Sequence, residues 1–281
     1  MGSGVGQRGS ELLDRLERYL DAVPRSGARA EPFGSLTLFV RVGPGWPFYA
    51  RPTLGADGPV SARDLAAVRA RQRELHVPEA AEWVHDTTPS LRPIAEAAGL
   101  VVESLPLMVL GASREVPTPR GVGIRVVPPD DATLATVSAV AEVGFGSPGT
   151  SVGAAGVMER DVVAEAMRAD GLDAARARMR RGLSVLVAAE DDADGPIGVG
   201  WHQPVGDVSE VVGVATLPSA RHRGLAAAVT ARLVADARER GVATIFLTAG
   251  SDDVARVYAR VGFERVGTSC IAALPVGPAV R

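Results

Sequence analysis

The stretch SARHRGLAAAVTARLV, beginning at Ser219, places two arginines and a residue without a side chain where a helix is predicted to begin. Arg221, Gly224 and Ala226 lie close together in the predicted turn. A helix start presents unpaired backbone N–H groups and a partial positive charge, so a turn without bulk lets a phosphate sit on the backbone. Arginine beside a helix N-terminus is unfavourable unless an anion compensates it. The stretch therefore predicts a pyrophosphate site.

The elements around this turn follow from apolar patterning. The runs LSVLVAAE from Leu183 and SEVVGVATL from Ser209 predict antiparallel strands, and DADGPIG between them is a turn signal. Apolar residues recur at helical spacing over 223–240, and the run VATIFLTA after Gly241 predicts a buried strand. The segment SDDVARVYARVGF predicts a short helix that Ser251 caps and Gly262 ends. The turn is thus predicted between a strand and a helix.

Composition limits the classes of partner. The chain has 281 residues, 46% of them hydrophobic and 22% charged, which is typical of a folded chain with one large domain or two of ordinary size. A formal net charge of −3 provides no basic field for nucleic acid or an anionic membrane, so neither is an expected partner. No apolar run reaches the roughly 18 residues of a membrane span. The N-terminal MGSGVGQRGS is expected to be a flexible lead.

The single cysteine, Cys270, excludes an intrachain disulfide framework and a cysteine zinc cluster. This usage fits a cytoplasmic protein, and Cys270 itself is expected to pack as a small apolar residue in a strand. No spacing of His, Asp and Glu resembles a metal site, so no metal is expected.

Two motifs resemble the GNAT N-acetyltransferase superfamily, whose members bind acetyl-CoA. The family signature Q/R-x-x-G-x-G/A is matched by Arg221, Gly224 and Ala226. A helix tyrosine four residues before a Gly-Phe pair is matched by Tyr258 and 262–263. The resemblance covers about residues 124–274, and both motifs stand in the family's order on the expected elements.

The resemblance implies acetyl-CoA as co-substrate. It implies that the turn offers N–H groups to the pyrophosphate, that an arginine adds a charge-assisted contact, and that the preceding strand lends backbone groups to the pantetheine amides. Ser251 stands where the family often has asparagine, so a contact to the pantetheine arm is shorter or missing. The implied contact residues are Val214, Ala215, Thr216, Arg221, His222, Arg223, Gly224, Leu225, Ala226, Ala227 and Ser251.

The resemblance also implies two catalytic residues. Acyl transfer from a thioester to an amine needs a neutral amine and a proton for the departing thiolate. Glu210, on the strand leading into the turn, is the candidate general base, acting directly or through water; the alternative is a glutamate that solvates a strand end. Tyr258 is the candidate general acid; the alternative is a core tyrosine on an amphipathic helix.

Two other features could border the acceptor. His202 either lines the acceptor cleft from the third strand or is a structural or surface group. The Gly-rich connection over 144–156 is a candidate wall of the same cleft. No acidic or basic run marks a peptide groove, so the expected acceptor is the amine of a small molecule.

The first part of the chain repeats the pattern of the last. EWVHDTTPSLRPIAEAAGLVVESLPLMVL and TIFLTAGSDDVARVYARVGFERVGTSCIAAL each predict a strand, a short helix, a glycine and two strands. Aligning Gly99 with Gly262 places Ala95 at the position of Tyr258. Upstream, ARDLAAV resembles HRGLAAAV, and in that match Asp64 stands where the later turn has Gly224. An aspartate there adds negative charge against a pyrophosphate. Bidomain members such as mycothiol-synthase-like proteins have comparable layouts; the alternative is a coincidental strand-helix-strand.

These observations predict an α/β (α+β) fold with two GNAT-like lobes, each a mixed, mostly antiparallel sheet flanked by helices. The predicted lobes are a degenerate one over 1–112 and a catalytic one over 113–281, with a Pro- and Gly-rich linker over 111–123. The predicted function is acetyl-CoA-dependent N-acetyl transfer to a small-molecule amine, by a monomer or homodimer that binds one CoA per chain. The alternatives are a non-catalytic acyl-CoA-binding module and another acyl-CoA reaction such as decarboxylation.

Overall fold

The computed structural model describes residues 3–43, 48–56, 58–147 and 149–275, and the chain divides into two compact units. The first unit comprises the chain up to Leu107 together with the segment from Val266, and the second runs from Met108 to Arg265. The sequence placed 113–281 in one lobe, whereas the segment from Val266 belongs with the first unit. The reason is strand pairing, which the local pattern does not encode: residues 269–273 pair antiparallel with residues 80–84.

The first unit is a helix-flanked sheet. Its helices are α1 (Ser3–Arg25), α2 (Ala62–Glu74) and α3 (Leu91–Ala97). Its strands are β1 (Ala28–Phe33), β2 (Leu36–Arg41), β3 (Ala50–Pro52), β4 (Ala80–Val84), the first part of β5 (Val101–Leu110) and the end of β11 (Phe263–Ala273). Of the pairs along β1-β2-β3-β4-β11, only β3 and β4 run parallel. Because α1 begins at Ser3, the prediction of a flexible lead is wrong for the described residues 3–10.

The second unit repeats this design on a larger scale. Its helices are α4 (Leu134–Phe145), α5 (Val157–Asp170), α6 (Asp173–Arg180), α7 (Leu225–Glu239) and α8 (Asp252–Ala259). Its strands are β6 (Val122–Val127), β7 (Val185–Asp191), β8 (Gly195–Val205), β9 (Val208–Thr216) and β10 (Thr244–Thr248). The neighbours β6-β7-β8-β9 pair antiparallel and β9-β10 pair parallel. The predicted mixed, mostly antiparallel sheets flanked by helices are confirmed.

The predicted internal repeat is present in the order of elements. β4, α3 and β5 follow one another as β10, α8 and β11 do. Gly99 and Gly262, which end the two short helices, both have positive φ values, +81° and +111°. Each copy closes with one long strand rather than the two that were predicted, because Pro106 in β5 and Gly267 in β11 are isolated turn formers and no cluster of them interrupts either run.

No helix in the described ranges is both long enough and apolar enough to cross a membrane. Within the same ranges, no group of three His, Cys, Asp or Glu side chains is arranged to hold a metal ion.

Candidate active site

The sheet of the second unit opens between β9 and β10. Their parallel pairing covers 208–210 and 244–246 and ends at Glu210 and Phe246, although both strands continue within the described residues. On the other side of β9, the register with β8 shifts between Val199 and Trp201. Gly213 lies in this bulge with a φ of +65°, and a Cβ on it would lie 2.6 Å from Cε3 of Trp201. A bulge bends its strand and increases the local twist, which separates β9 from β10.

The turn after β9 exposes backbone donors. His222 and Gly224 have φ values of +66° and +81°, and α7 begins directly afterwards at Leu225. In the described part of the chain, the N–H groups from His222 to Ala227 donate to no backbone acceptor, and the first such bond of α7 runs from Ala228 N–H to Gly224 O at 3.1 Å. A positive φ at histidine is uncommon and strained. The turn therefore holds its N–H groups, Leu225 and Ala226 included, ready for an anion.

The two arginines of the turn are engaged by the protein itself. Arg221 donates to the carbonyl oxygens of Gly144, Ser147 and Ser151 at 2.9, 2.6 and 2.9 Å. Arg223 pairs with Asp191 at 2.7 Å, and its hydrogen bond holds the pKa of Asp191 below the usual range. Sequence reasoning missed these partners because they lie on distant segments. The predicted charge-assisted contact to a phosphate stays a prediction, and the uncommitted donors of the turn are backbone N–H groups.

The strand residues predicted to face the pantetheine arm follow the bulge. Ala215 pairs with Val199 and Thr216 with Gly198, so β8 occupies one edge of β9 at Val214–Thr216. The opposite edge lies beyond the last residue that pairs with β10. Free strand edges present N–H and C=O groups that can pair with amides.

Ser251 has a structural task in this structure. It is the N-cap of α8, and its Oγ accepts a hydrogen bond from Val254 N–H at 3.2 Å. A capping hydroxyl satisfies one of the donors that the helix start leaves free. Contact of Ser251 with a cofactor stays a prediction.

The two candidate catalytic residues lie on different elements of the second unit. Glu210 is half-buried on β9, opposite Gln203 of β8, at the point where pairing with β10 ends. Tyr258 lies on α8 with 8% of its surface exposed, and its ring contacts Phe263 edge-on at 6.1 Å between centroids. Burial raises the pKa of Tyr258 to about 12, so the hydroxyl stays protonated at neutral pH.

His202 is structural. It is fully buried, its Nδ1 lies 2.9 Å from Ser209 Oγ, and its Nε2 lies 3.0 Å from Asp236 Oδ1. Arg240 pairs with the same carboxylate. Burial lowers the pKa of His202, which favours the neutral ring. The one sequence signal for this network is Asp236, a charged residue on the apolar face of α7 between Leu233 and Ala237.

The connection over 144–156 lies along the turn. Gly153 N–H donates to Pro218 O at 3.1 Å, and Ser219 N–H donates to Ala155 O at 3.0 Å. His222 Nε2 lies 3.0 Å from Thr150 O and donates to it, because a carbonyl oxygen only accepts. The Gly-rich connection is therefore hydrogen-bonded to the turn before α7. Its role toward an acceptor stays a prediction.

At the corresponding turn of the first unit, polar side chains of that unit form the hydrogen bonds. Ser61 caps α2, and the carboxylate of Asp64 accepts from the N–H and the hydroxyl of Ser35 at 2.9 and 2.7 Å. The backbone hydrogen bond from Ser35 is the main cause that lowers the pKa of Asp64. Ala95, at the position of Tyr258, is fully buried among apolar residues. A carboxylate thus stands at the start of α2, where the second unit leaves its N–H groups open.

Two further features of the first unit bear on the predictions. Cys270 is fully buried in the core of this unit, which confirms its packing as a small apolar residue. A cavity of about 500 Å³ lies between α1 and the loop after β3, lined among others by Glu17, Pro52 and Thr87. None of the residues predicted to act in catalysis lines it.

Comparison with known proteins agrees with the motifs. Residues 159–263, which include Glu210, the turn and Tyr258, match the model of the Acetyltransferase (GNAT) family. No protein with a curated description matches the chain.

Several solved structures share the fold. A GCN5-related N-acetyltransferase from Kribbella flavida is 22% identical over 94% of this chain and 96% of its own, with a TM-score of 0.69. A GCN5-related N-acetyltransferase-like protein from Streptococcus suis is 11% identical over 94% and 98%, with a TM-score of 0.55. A tandem GNAT protein from the clavulanic acid biosynthesis pathway is 14% identical over 87% and 80%, with a TM-score of 0.53. Residues 159–263 therefore match the Acetyltransferase (GNAT) family, and the chain shares its fold with solved GNAT proteins, a tandem GNAT protein among them.

Proposed function

We propose that this protein is an acetyl-CoA-dependent N-acetyltransferase that acts on the amine of a small molecule, with the cofactor in the second unit. The observation that carries this proposal is the turn before α7. It holds consecutive backbone N–H groups without a backbone acceptor in the described residues, beside a sheet that opens after Glu210. These are the donors that a pyrophosphate needs.

The cofactor would bind along this path. The N–H groups of His222–Ala227 would bind the pyrophosphate, and the free edge of β9 at Val214–Thr216 would pair with the pantetheine amides. The acetyl group would then lie in the opening, near the end of the β9-β10 pairing. Arg223 would contact a phosphate only by exchanging its ion pair with Asp191 for one with the phosphate, and Ser251 would border the pantetheine arm.

In the reaction, the amine nitrogen attacks the thioester carbonyl carbon and forms a tetrahedral intermediate. Glu210 accepts the proton that the nitrogen loses, directly or through water. The C–S bond then breaks, and the thiolate takes a proton from the hydroxyl of Tyr258. With a pKa of about 12 the tyrosine holds this proton at neutral pH, and bulk water restores it afterwards.

Calorimetric titration of the full chain with acetyl-CoA tests the cofactor assignment. Gly224→Asp adds a negative charge to the turn and should weaken binding by roughly 100-fold, since this charge repels the negatively charged pyrophosphate. Gly224→Asn adds nearly the same volume without charge and should weaken binding less, because aspartate and asparagine both tolerate positive φ and only aspartate repels the pyrophosphate.

Gly241→Asp is the matched control. Gly241 ends α7 with a φ of +80° and has open space around it, so the substitution adds the same strain and charge far from the turn. Its affinity should equal that of the wild type. Equal affinities of all four proteins, or absence of binding to the wild type, would overturn the cofactor assignment.

One observation favours a second candidate, a non-catalytic acyl-CoA-binding module. Tyr258 is packed in the apolar core of the second unit, which is also the environment of a purely structural tyrosine. A panel of small amines with acetyl-CoA, followed by release of free thiol, separates the two. Tight binding without turnover on any amine would favour the module.

A further inference from the structure

The side chain of Arg221 bonds the Gly-rich connection and does not extend the row of backbone N–H groups that lack an acceptor. We name residues 146–156, between α4 and α5, the α4–α5 loop. Both terminal nitrogens of Arg221 are used on it or on the helix end before it: Nη1 donates to Ser151 O, and Nη2 donates to Ser147 O and Gly144 O. Gly144 belongs to the last turn of α4, whose carbonyls carry partial negative charge. The charge of Arg221 therefore has a partner without any phosphate.

Backbone contacts bring the α4–α5 loop close to the turn. Gly153 N–H donates to Pro218 O, and Ser219 N–H donates to Ala155 O. A Cβ on Gly156 would lie 2.7 Å from Ser219 Oγ, and one on Gly153 would lie 3.1 Å from Pro218 Cβ. Glycine at these two positions is what permits the approach. Two backbone hydrogen bonds therefore join the loop to the turn.

The donors of the turn are divided between two tasks. The N–H groups that follow Arg221 point to no backbone acceptor in the described chain, whereas the side chains of Arg221 and His222 both reach carbonyls of the loop. In this arrangement the backbone of His222 has a strained φ of +66°. A ligand that fixes the backbone at His222 also fixes the two side chains that hold the loop.

We propose that Arg221 is a positioning residue that couples the cofactor turn to the α4–α5 loop. Cofactor binding on the backbone N–H groups immobilises the turn, and Arg221 transmits this order to the loop. This inference rests on the proposed function for the ligand but assigns Arg221 a role other than phosphate binding.

Hydrogen exchange of the full chain, with and without CoA, tests the coupling on peptides that cover the loop. In the wild type, CoA should slow exchange of the loop by roughly tenfold, because opening becomes rarer. Arg221→Gln should exchange faster without ligand, bind CoA within about threefold of the wild type, and show a clearly smaller CoA response in the loop, since only the backbone bonds and His222 then join loop and turn. Arg232→Gln removes an equal charge from a half-exposed position of α7 and should behave as the wild type.

Two results would overturn the inference. One is a loss of CoA affinity above roughly tenfold in Arg221→Gln with unchanged loop exchange, which would make Arg221 a phosphate ligand. The other is a loop response in Arg221→Gln that is as large as in the wild type. If the wild type binds no CoA, the proposed function fails, and the comparison of loop exchange in the unliganded proteins still decides whether Arg221 holds the loop. Thermal unfolding of each variant checks that it is folded.

Discussion

The helices α2 and α7 begin at corresponding places in the two units but satisfy their first N–H groups differently. At α2, Ser61 caps the helix and the carboxylate of Asp64 stands in its first turn, bonded to Ser35. At α7, the cap is Gly224 in the left-handed region, without a side-chain bond. Both helix starts present the same partial positive charge. The first is compensated by side chains of the first unit, whereas the N–H groups of 222–227 have no backbone acceptor in the described residues.

This difference separates stability from function within one architecture. A helix start whose N–H groups are bonded by side chains is stable without a ligand. The side-chain cap contributes about 1 kcal/mol, and a nearby carboxylate adds a few tenths. An open start gives up that stability and gains an anion site. We infer that the first unit supports the fold while the second carries the chemistry. The predictions below test this division, beginning with the largest expected effect.

Deleting residues 1–107 should abolish the soluble, folded protein, although every proposed catalytic residue remains. Residues 269–273 of β11 lose β4 as their partner, which exposes a strand edge with the fully buried Cys270 and Ala272. Unpaired apolar edges aggregate. Size-exclusion chromatography measures the outcome. Removing the segment from Val266 as well should restore part of the solubility; a soluble, fully active first deletion would refute the support role.

Tyr258→Phe makes the second unit resemble the first, where Ala95 replaces the acid. Turnover should fall roughly 100-fold, as is typical when a general acid is lost. Affinity for CoA and thermal stability should change little, because the ring and its edge-on contact with Phe263 are kept. Kinetics with acetyl-CoA and the best amine, together with calorimetry, measure both quantities. A variant of undiminished turnover would leave Tyr258 a core residue.

The two long helices are also fastened to their sheets by different chemistry. In the second unit, Asp236 of α7 bonds the buried His202, whereas in the first unit the buried Gln72 of α2 exchanges neutral hydrogen bonds with the backbone of Ala80. Asp236→Ala should therefore lower the free energy of unfolding by about 3 kcal/mol, since it breaks a buried pair. Gln72→Ala should cost about 1–2 kcal/mol. Denaturant unfolding measures both.

Because of His202, the free energy of unfolding should depend on pH. Burial lowers the pKa of His202 in the folded state, so the folded protein favours the neutral ring. The stability that this contributes is complete above the unfolded pKa of about 6.5 and is lost as pH falls toward the folded value. His202→Gln should flatten the decline of unfolding free energy between roughly pH 7 and 5, whereas Gln72→Ala should leave its slope unchanged. Equal slopes in all variants would contradict the assignment.

The sequence predicted those parts of the site that depend on residues close together in the chain. The turn at Gly224, the helix that follows it and the short helix with Tyr258 were predicted from neighbouring residues, and all are found. The partners of Arg221 and His202, by contrast, lie on distant segments whose approach depends on tertiary packing. The return of β11 to the first unit has the same origin, because strand pairing between remote residues leaves no local signal.

The smallest expected effect tests the first unit directly. Asp64→Asn keeps an oxygen that can accept from Ser35 but removes the charge, so unfolding free energy should fall by about 0.5–1 kcal/mol. Because hydrogen bonds from Ser35 lower the pKa of Asp64, its contribution is complete above the unfolded pKa of about 3.9 and is lost as pH falls below that value. The wild type and variant should therefore converge near pH 2 in urea unfolding.

The same variant tests whether the first unit has an unused cofactor site. Removing the Asp64 charge does not by itself supply the free N–H groups that α7 offers, because Ser61 still caps α2 and accepts from the N–H of residue 64 at 3.1 Å. Calorimetry should give one CoA per chain for both the wild type and Asp64→Asn. Two equivalents in the wild type would mean that α2 binds an anion despite Asp64. A second equivalent only in the variant would mean that this single carboxylate, rather than the cap, keeps the first unit free of cofactor.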